Sequence, residues 1–216
     1  MDTPNESKSQ GRRLTTTSYA VLAVLALHDH STYELTKQMR LGWRYLWPRA
    51  ESNVYAEPKK LAAAGLVRSR QEWNGDRRRT VYSITDGGRE ALREWLATPP
   101  APARVESEAQ LRLLYANYGS KDDLLATIQS IEDDAQSTID HYAQLVTEYA
   151  RGDGLFPDRI HVNALLGSLS IEQARATVRW AQRSRGAVEA WETTATPDIE
   201  WAVKTMLHAA GEPHDD

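Results

Sequence analysis

Residues 49–85 read RAESNVYAEPKKLAAAGLVRSRQEWNGDRRRTVYSIT, and they decide the fold. Ser52 is a candidate N-cap, because its hydroxyl can accept one of the free backbone N–H groups at a helix start. Val54, Pro58 and Leu61 follow at i, i+4 and i+7 and are expected to face inward, which leaves Asn53, Glu57, Lys59 and Lys60 largely outside. Gly65 supplies a stop, since a helix often ends on a left-handed residue that only glycine adopts without steric cost. Leu66 to Trp73 and Arg77 to Thr85 have strand length, and Asn74-Gly75 between them is a strong hairpin signal. Arg77, Arg78 and Arg79 load the hairpin tip with positive charge. A helix with a polar, basic outer face followed by a basic hairpin has the pattern of a winged helix-turn-helix.

The rest of the chain fits one small domain with an extension. The 216 residues are 41% hydrophobic, which permits a buried core, and no apolar run approaches the roughly 20 residues that span a bilayer. The first residues, MDTPNESKSQGRR, lack the apolar segment of a secretory signal. The absence of cysteine removes disulfides, thiolate nucleophiles and cysteine-ligated zinc, and a cytoplasmic location is expected. A formal net charge of -4 hides an asymmetry. Residues 8–80 carry 14 Lys and Arg against 6 Asp and Glu, whereas residues 101–216 carry 10 against 19. A basic module joined to an acidic one matches a polyanion-binding end and an end held away from the polyanion, although two solvated surfaces of different composition give the same count.

Residues 1–13 are expected to form a disordered arm. Thr17 is placed as the N-cap of a nearly all-apolar helix over about 18–28, the central buried one, and His28-Asp29-His30 as a polar turn. Ser31 and Glu34 fit a capping box for a second helix with Leu35 and Met39 inward and Lys37 and Gln38 outward, interrupted at Gly42. After the hairpin, Thr85 can cap a helix in which Leu92, Trp95 and Leu96 share a face. Pro99, Pro100 and Pro102 then stiffen and break the chain. Boundaries follow: a winged helix-turn-helix domain over 14–98, a Pro-rich linker over 99–103, a helical domain over 104–195, and a short helix and tail over 196–216. The helical part should contain a segment near 107–118, a long helix capped by Ser120 and running to about Ala150, and a third over about 158–193. Pro197 is placed at the start of a last short helix. The fold class is thus mainly α with a small two-stranded β-wing, and the C-terminal antiparallel helices are expected to dimerise, because amphipathic helices of this length with little surrounding mass usually need a partner surface; the alternative is an intramolecular helical hairpin with no partner.

Three segments together, TTTSYAVLAVLALHDHSTYELTKQM, SNVYAEPKKLAAAGLV and NGDRRRTVYSITDGGREALREWL, resemble the PadR family of transcriptional regulators. The tail segments LRLLYANYGSKDDLLATIQ and RWAQRSRGAVEAWE resemble the helical C-terminal domain of its longer members. The resemblance spans about residues 15–193. It implies a cytoplasmic homodimer that binds double-stranded DNA at a pseudo-palindromic operator through paired recognition helices, usually as a repressor, and releases it on binding a small molecule. It aligns Tyr33 and Lys37 of the second helix, Ser52, Asn53, Tyr55, Lys59 and Lys60 of the recognition helix, and Arg77, Arg78 and Arg79 of the wing with positions that face DNA. Arg49, just ahead of the recognition helix, is a further candidate for the phosphate backbone. Asn53 is the first candidate for a base contact, since its amide both donates and accepts as the adenine edge requires, while lysines and arginines suit phosphates. Pro58 departs from the leucine common at its place and should make the helix start late or bend.

No catalytic pattern competes. The chain lacks GxSxG, GxxxxGK, HExxH and GxGxxG, its six histidines are scattered, and Glu132-Asp133-Asp134 reads as a solvated helix face, so neither an enzyme nor a cofactor is expected. Seven tryptophans are many for this length, and flat aromatic effectors stack on indole; Trp95 and Trp180 are the candidates. The rival reading is a winged-helix module that binds another protein, against which the basic N-terminal balance weighs.

Overall fold

The computed structural model describes residues 14–43, 54–103, 105–154, 156–196 and 198–211, without the side chains of 40–43, 74 and 77. The expected N-terminal arm, Arg49, Ser52, Asn53 and Pro197 lie outside the described residues. The chain divides into two compact units, 1–103 and 104–216. Among the described residues no helix is long and apolar enough to cross a membrane.

In the first unit, α1 (Thr16–Leu25) starts two residues earlier than the sequence suggested. Thr15, not Thr17, is the N-cap, because Ser18 lies three residues after it and closes a reciprocal box: Ser18 N–H donates to Thr15 Oγ1 at 3.2 Å and Thr15 N–H to Ser18 Oγ at 2.9 Å. α2 (Thr32–Trp43) opens on the expected box, with Ser31 N–H on Glu34 Oε2 at 2.8 Å and Glu34 N–H on Ser31 Oγ at 3.3 Å. It runs through Gly42, since one glycine weakens a helix by about 1 kcal/mol without breaking it. The next helix described in full is α3 (Glu57–Ala63), with Ala56 as N-cap. Val54 is helical, and turn residues Tyr55 and Ala56 separate it from α3. Pro58 therefore falls in a first turn, where its missing N–H would have had no helical partner, which is the late start the proline required.

The sheet has three strands, not two: β1 (His30–Ser31), β2 (Val67–Asn74) and β3 (Arg77–Ile84), antiparallel in the order β1-β3-β2. His30 pairs with Tyr82 and Ser31 with Val81, so part of the expected polar turn is an edge strand too short to carry a period of its own. The hairpin loop also moves by one residue. Asn74 pairs with Arg77, leaving Gly75 and Asp76 as the loop. Gly75 has φ +61° and Asp76 has no positive φ, the pattern of a type II′ turn with glycine first.

α4 (Asp86–Leu96) is capped by Thr85, whose Oγ1 accepts the Gly88 N–H at 3.1 Å and donates to Gly65 O at 2.8 Å. A Cβ at buried Gly88 would collide with the Leu66 carbonyl and the Ile84 side chain, so glycine lets this helix start close to β2 and β3. Trp95 stacks on Tyr19 of α1 at 4.9 Å and 7°, while Leu96 is exposed and not on the shared inner face expected for it. Val21, Leu22, Leu25, Leu35, Met39, Val54, Leu61, Val67, Tyr82 and Ile84 form one core between the helices and the sheet.

In the second unit, α5 (Glu108–Leu114) and a 3-10 turn (Ala116–Tyr118) precede two 30-residue helices, α6 (Lys121–Ala150) and α7 (Ile160–Glu189); α8 (Ile199–Ala210) follows with Asp198 as N-cap. Ser120 and Asp123 form the capping box of α6. The long helices are antiparallel: Lys121 Nζ donates to Glu189 O and Trp191 O at one end, and Asn163 Nδ2 to Tyr149 Oη at the other. Between them Glu132 holds Arg185 and Gln182. The buried seam of α7 is Gly167, Ala174, Ala181 and Val188, every seventh residue, the spacing of an antiparallel coiled-coil contact. Val146 of α6 is exposed.

Candidate nucleic-acid interface

Tyr33 and Lys37 stand one turn apart on the outer face of α2, Tyr33 72% exposed, because Leu35, Thr36 and Met39 turn that helix's other side into the core. On α3, Lys59 and Lys60 are exposed and Pro58 and Leu61 buried. Tyr55 points outward as well, so it does not pack beneath the helix. Glu57 corrects the helical-face expectation: it is only 5% exposed. Its Oε1 accepts the Ser18 hydroxyl at 2.6 Å and its Oε2 faces Lys60 Nζ at 3.1 Å. A carboxylate in the first turn of a helix also meets the positive end of the helix dipole. Glu57 thereby ties α3 to α1, and Lys60 spends part of its charge inside the protein.

The wing separates its arginines. Arg78 is exposed and lies over the ring of its cross-strand partner Trp73, 5.9 Å from the centroid. Trp73 itself is 71% exposed, and nothing in its sequence context beyond the count of tryptophans singles it out. Arg79 is drawn back. Its Nη1 donates to Glu34 Oε1 at 2.7 Å and its Nη2 to Glu72 Oε2 at 3.2 Å, and its Nε is buried with no hydrogen-bond partner. Glu72 Oε1 in turn accepts Arg70 Nε at 2.7 Å, and Arg70 Nη1 reaches Asp29 Oδ2 at 2.6 Å and Ser83 Oγ at 2.7 Å. The result is a ladder of alternating charge, Asp29, Arg70, Glu72, Arg79, Glu34, running from the start of β1 across the hairpin to the N-terminus of α2.

Every acid in the ladder is held below its ordinary range. Glu34 is lowered first by the Ser31 N–H and also by Arg79, Glu72 first by its hydrogen bond from Arg70, and Asp29 first by Arg70 and then Ser83. The same contacts raise Arg70 and Arg79. All five groups are charged around neutrality. A sequence signal for the ladder existed: Arg70, Glu72 and the arginines opposite alternate in sign along one strand face, but pairing them correctly requires the true hairpin register.

Trp95 and Trp180 belong to different units. Trp95 is half-buried in its stack with Tyr19, and Trp180 is 37% exposed on α7. A groove of about 890 Å³ runs between α5 and the first turns of α6, lined by Leu111, Arg112, Tyr115, Leu124 and Thr127 among others, and neither tryptophan lines it.

Comparison with known proteins finds relatives of the domain that carries these surfaces. The model of the transcriptional regulator PadR-like family matches residues 21–94. The negative transcriptional regulator PadR of Bacillus subtilis is 29% identical over 105 residues, 48% of this chain and 58%, little more than half, of that protein. The crystal structure of Bacillus subtilis PadR in complex with operator DNA has a TM-score of 0.70 at 21% identity, covering 82% of this chain and 99% of that one. The structure of the same regulator with p-coumaric acid has a TM-score of 0.63 at 21% identity, covering 80% and 98%. Over residues 21–94 the chain is similar to the PadR-like family of transcriptional regulators, and it shares the fold of the solved PadR structures.

Proposed function

We propose that the protein is a sequence-specific DNA-binding repressor that acts as a dimer and is released by a small aromatic effector. One observation carries the DNA-binding part: Tyr33 and Lys37 on α2, Lys59 and Lys60 on α3 and Tyr55 in the turn before α3 are all exposed, and the same domain carries an exposed wing arginine, Arg78. The solved complex of a fold relative with operator DNA supports it. In this reading Asn53 reads a base, while Arg49, Ser52, Lys37, Lys59, Lys60, Arg77 and Arg78 hold phosphates. Two copies place their recognition helices in successive major grooves, about 34 Å apart.

Dimerisation through the C-terminal helices is supported by the apolar residues those helices leave outside, Val162, Leu165, Leu166 and Leu169 on α7 and Val146 on α6. Repression is supported by the negative regulator among the relatives. Release by an aromatic acid is supported by the p-coumaric acid complex of a fold relative, with Trp95 and Trp180 as the proposed contacts.

The test is binding of the purified chain to DNA from upstream of its own gene and to random DNA of equal length, at two salt concentrations, with and without p-coumaric acid. Tight, selective binding that weakens steeply with salt is expected, because lysine and arginine displace condensed counterions. Absence of binding even at low salt would replace this function with the protein-interaction module. A reporter whose expression falls when the gene is deleted would replace repression with activation.

A further inference from the structure

The acids of the wing ladder pose a problem for a DNA-binding surface. Glu34 and Glu72 sit beside the exposed cations that would face phosphates, where a negative charge opposes binding. The ladder's pairs are partly exposed, with side chains between 31% and 51% accessible, and exposed ion pairs add little to stability. Neither affinity by charge nor stability accounts for them. Geometry does. The two oxygens of Glu34 do separate things: Oε2 closes the capping box that starts α2, and Oε1 grips Arg79 of the wing. Arg79 is held from its other side by Glu72, and Arg70 fixes that strand to Asp29 just ahead of β1.

We propose that Glu34, Arg79 and Glu72 form a clasp that fixes the wing against the start of α2, so that Arg78 and Trp73 on the hairpin meet DNA at a set distance from Tyr33 and Lys37. Arg79 is then a positioning residue that touches no phosphate. The clasp rests on the DNA-binding reading for its consequence, though not for its existence.

The sign of one substitution separates positioning from plain electrostatics. Glu72→Gln removes a negative charge from the interface. If the acid only repels phosphate, binding tightens; if it positions the wing, binding to the preferred site weakens. Glu34→Gln is equally informative, since glutamine also serves in the third position of a capping box and so keeps the helix start while losing the charge on Arg79. The full chain is used to select its preferred duplex from a random-sequence pool, and variants are titrated with that duplex and an unselected one of equal length. Glu34→Gln and Glu72→Gln are expected to weaken the selected duplex by about tenfold, the ratio of an ordinary network coupling, without weakening the unselected one. Arg79→Gln should do the same and leave the salt slope as in the parent, whereas Arg78→Gln should lower it by up to about 0.9. Tighter binding by Glu72→Gln on both duplexes, or a slope loss in Arg79→Gln equal to that in Arg78→Gln, overturns the clasp. Amide hydrogen exchange of the DNA-free chain decides independently: Glu34→Gln and Arg79→Gln should speed exchange along residues 71–80 while α2 keeps its protection. Unchanged exchange in the hairpin overturns the proposal. A parent chain that selects no duplex overturns the DNA reading instead, and the exchange result still judges the clasp.

Discussion

The two units of this chain bury different things. The N-terminal unit encloses Leu22, Leu25, Leu35 and Leu61 at 0–1% exposure between helices and a sheet, and ties its elements together with side chains far apart in sequence, Ser18 to Glu57 and Arg79 to Glu34. The C-terminal unit places Gly167, Ala174 and Ala181 in the seam between its long helices and leaves Leu165, at 73%, and Leu169 outside. The difference is one of layers. Helices packed on a sheet close around large side chains, whereas two helices alone can bury only the stripe along which they touch. Each long helix extends about 45 Å, so that stripe is long and thin. Small residues on α7 let the backbones approach around Leu124 and Ile128 of α6, while Leu165 and Leu169 of α7 face outward. The first unit closes on itself, and the second is the one we propose to pair with another copy.

The largest test of that contrast is Leu22→Ala. Leu22 is fully buried in the core. Its truncation should cost about 2–5 kcal/mol in urea denaturation, as lost transfer energy plus a cavity. The counterpart in the other unit is enlargement. Ala181 is also fully buried, and Ala181→Leu should force the helices apart and cost about 1–3 kcal/mol. A silent Ala181→Leu would mean that the seam yields, and the contrast between a thin tight interior and a thick one would fail. Ser18→Ala probes the long-range tie on the first side. It removes the hydroxyl that donates to Glu57 at 2.6 Å and should cost about 1–3 kcal/mol, because the buried carboxylate loses a charge-assisted hydrogen bond. An unchanged urea midpoint would show that Lys60 and water replace the hydroxyl fully.

The proposed pairing of the second unit is tested where stability hardly moves. Leu165→Glu together with Leu169→Glu changes two exposed side chains, so the helical circular dichroism of the chain should persist. Sedimentation equilibrium should nevertheless report a fall from a dimer to the 24.3 kDa monomer, since two buried charges at an apolar contact are heavily penalised. A dimer that survives the double change would place the interface on another face.

What the sequence made legible follows the same divide. The order of the helices and of the two hairpin strands, the Ser31, Thr85 and Ser120 caps, the inward Val54, Pro58 and Leu61, and the late start forced by Pro58 were all readable, because propensity, capping and period are local properties. Pairings between distant residues were not. Glu57 looks like an outer-face residue until Ser18 of another helix is found beside it. Placing the hairpin loop one residue early changes each cross-strand partner by two, so Glu72 would have faced Arg77 and not Arg79, and the ladder would have been missed. In the second unit Leu124 and Ile128 of α6 are buried as their apolar character suggests, but the α7 face that meets them is not made of large aliphatics. A seam of glycine and alanine carries almost no hydrophobic signal, although its seven-residue spacing was in the sequence.

The smallest expected effect is a pH dependence confined to the first unit. His30 of β1 is partly buried, its Nε2 has no hydrogen-bond partner, and burial pushes its pKa below 6.5 against the opposite pull of Glu34 and Asp29, with His28 adding to the depression. The fold therefore prefers the neutral imidazole. Its contribution is complete above the unfolded value near 6.5 and is lost as pH falls from there through the lowered folded value. The ladder acids have the same sign in a separate window. Their depressed values keep their contribution intact above the unfolded 4.5 of Glu34 and Glu72 and 3.8 of Asp29, and it is lost only as pH falls through the folded values below those. Urea midpoints measured between pH 7 and pH 3 should thus fall in two steps. His30→Gln, neutral throughout, should remove the upper step and keep the lower one. Parallel curves for the two proteins above pH 5 would show that water reaches His30 in solution, and that even the closed interior of the N-terminal unit admits solvent at its sheet edge.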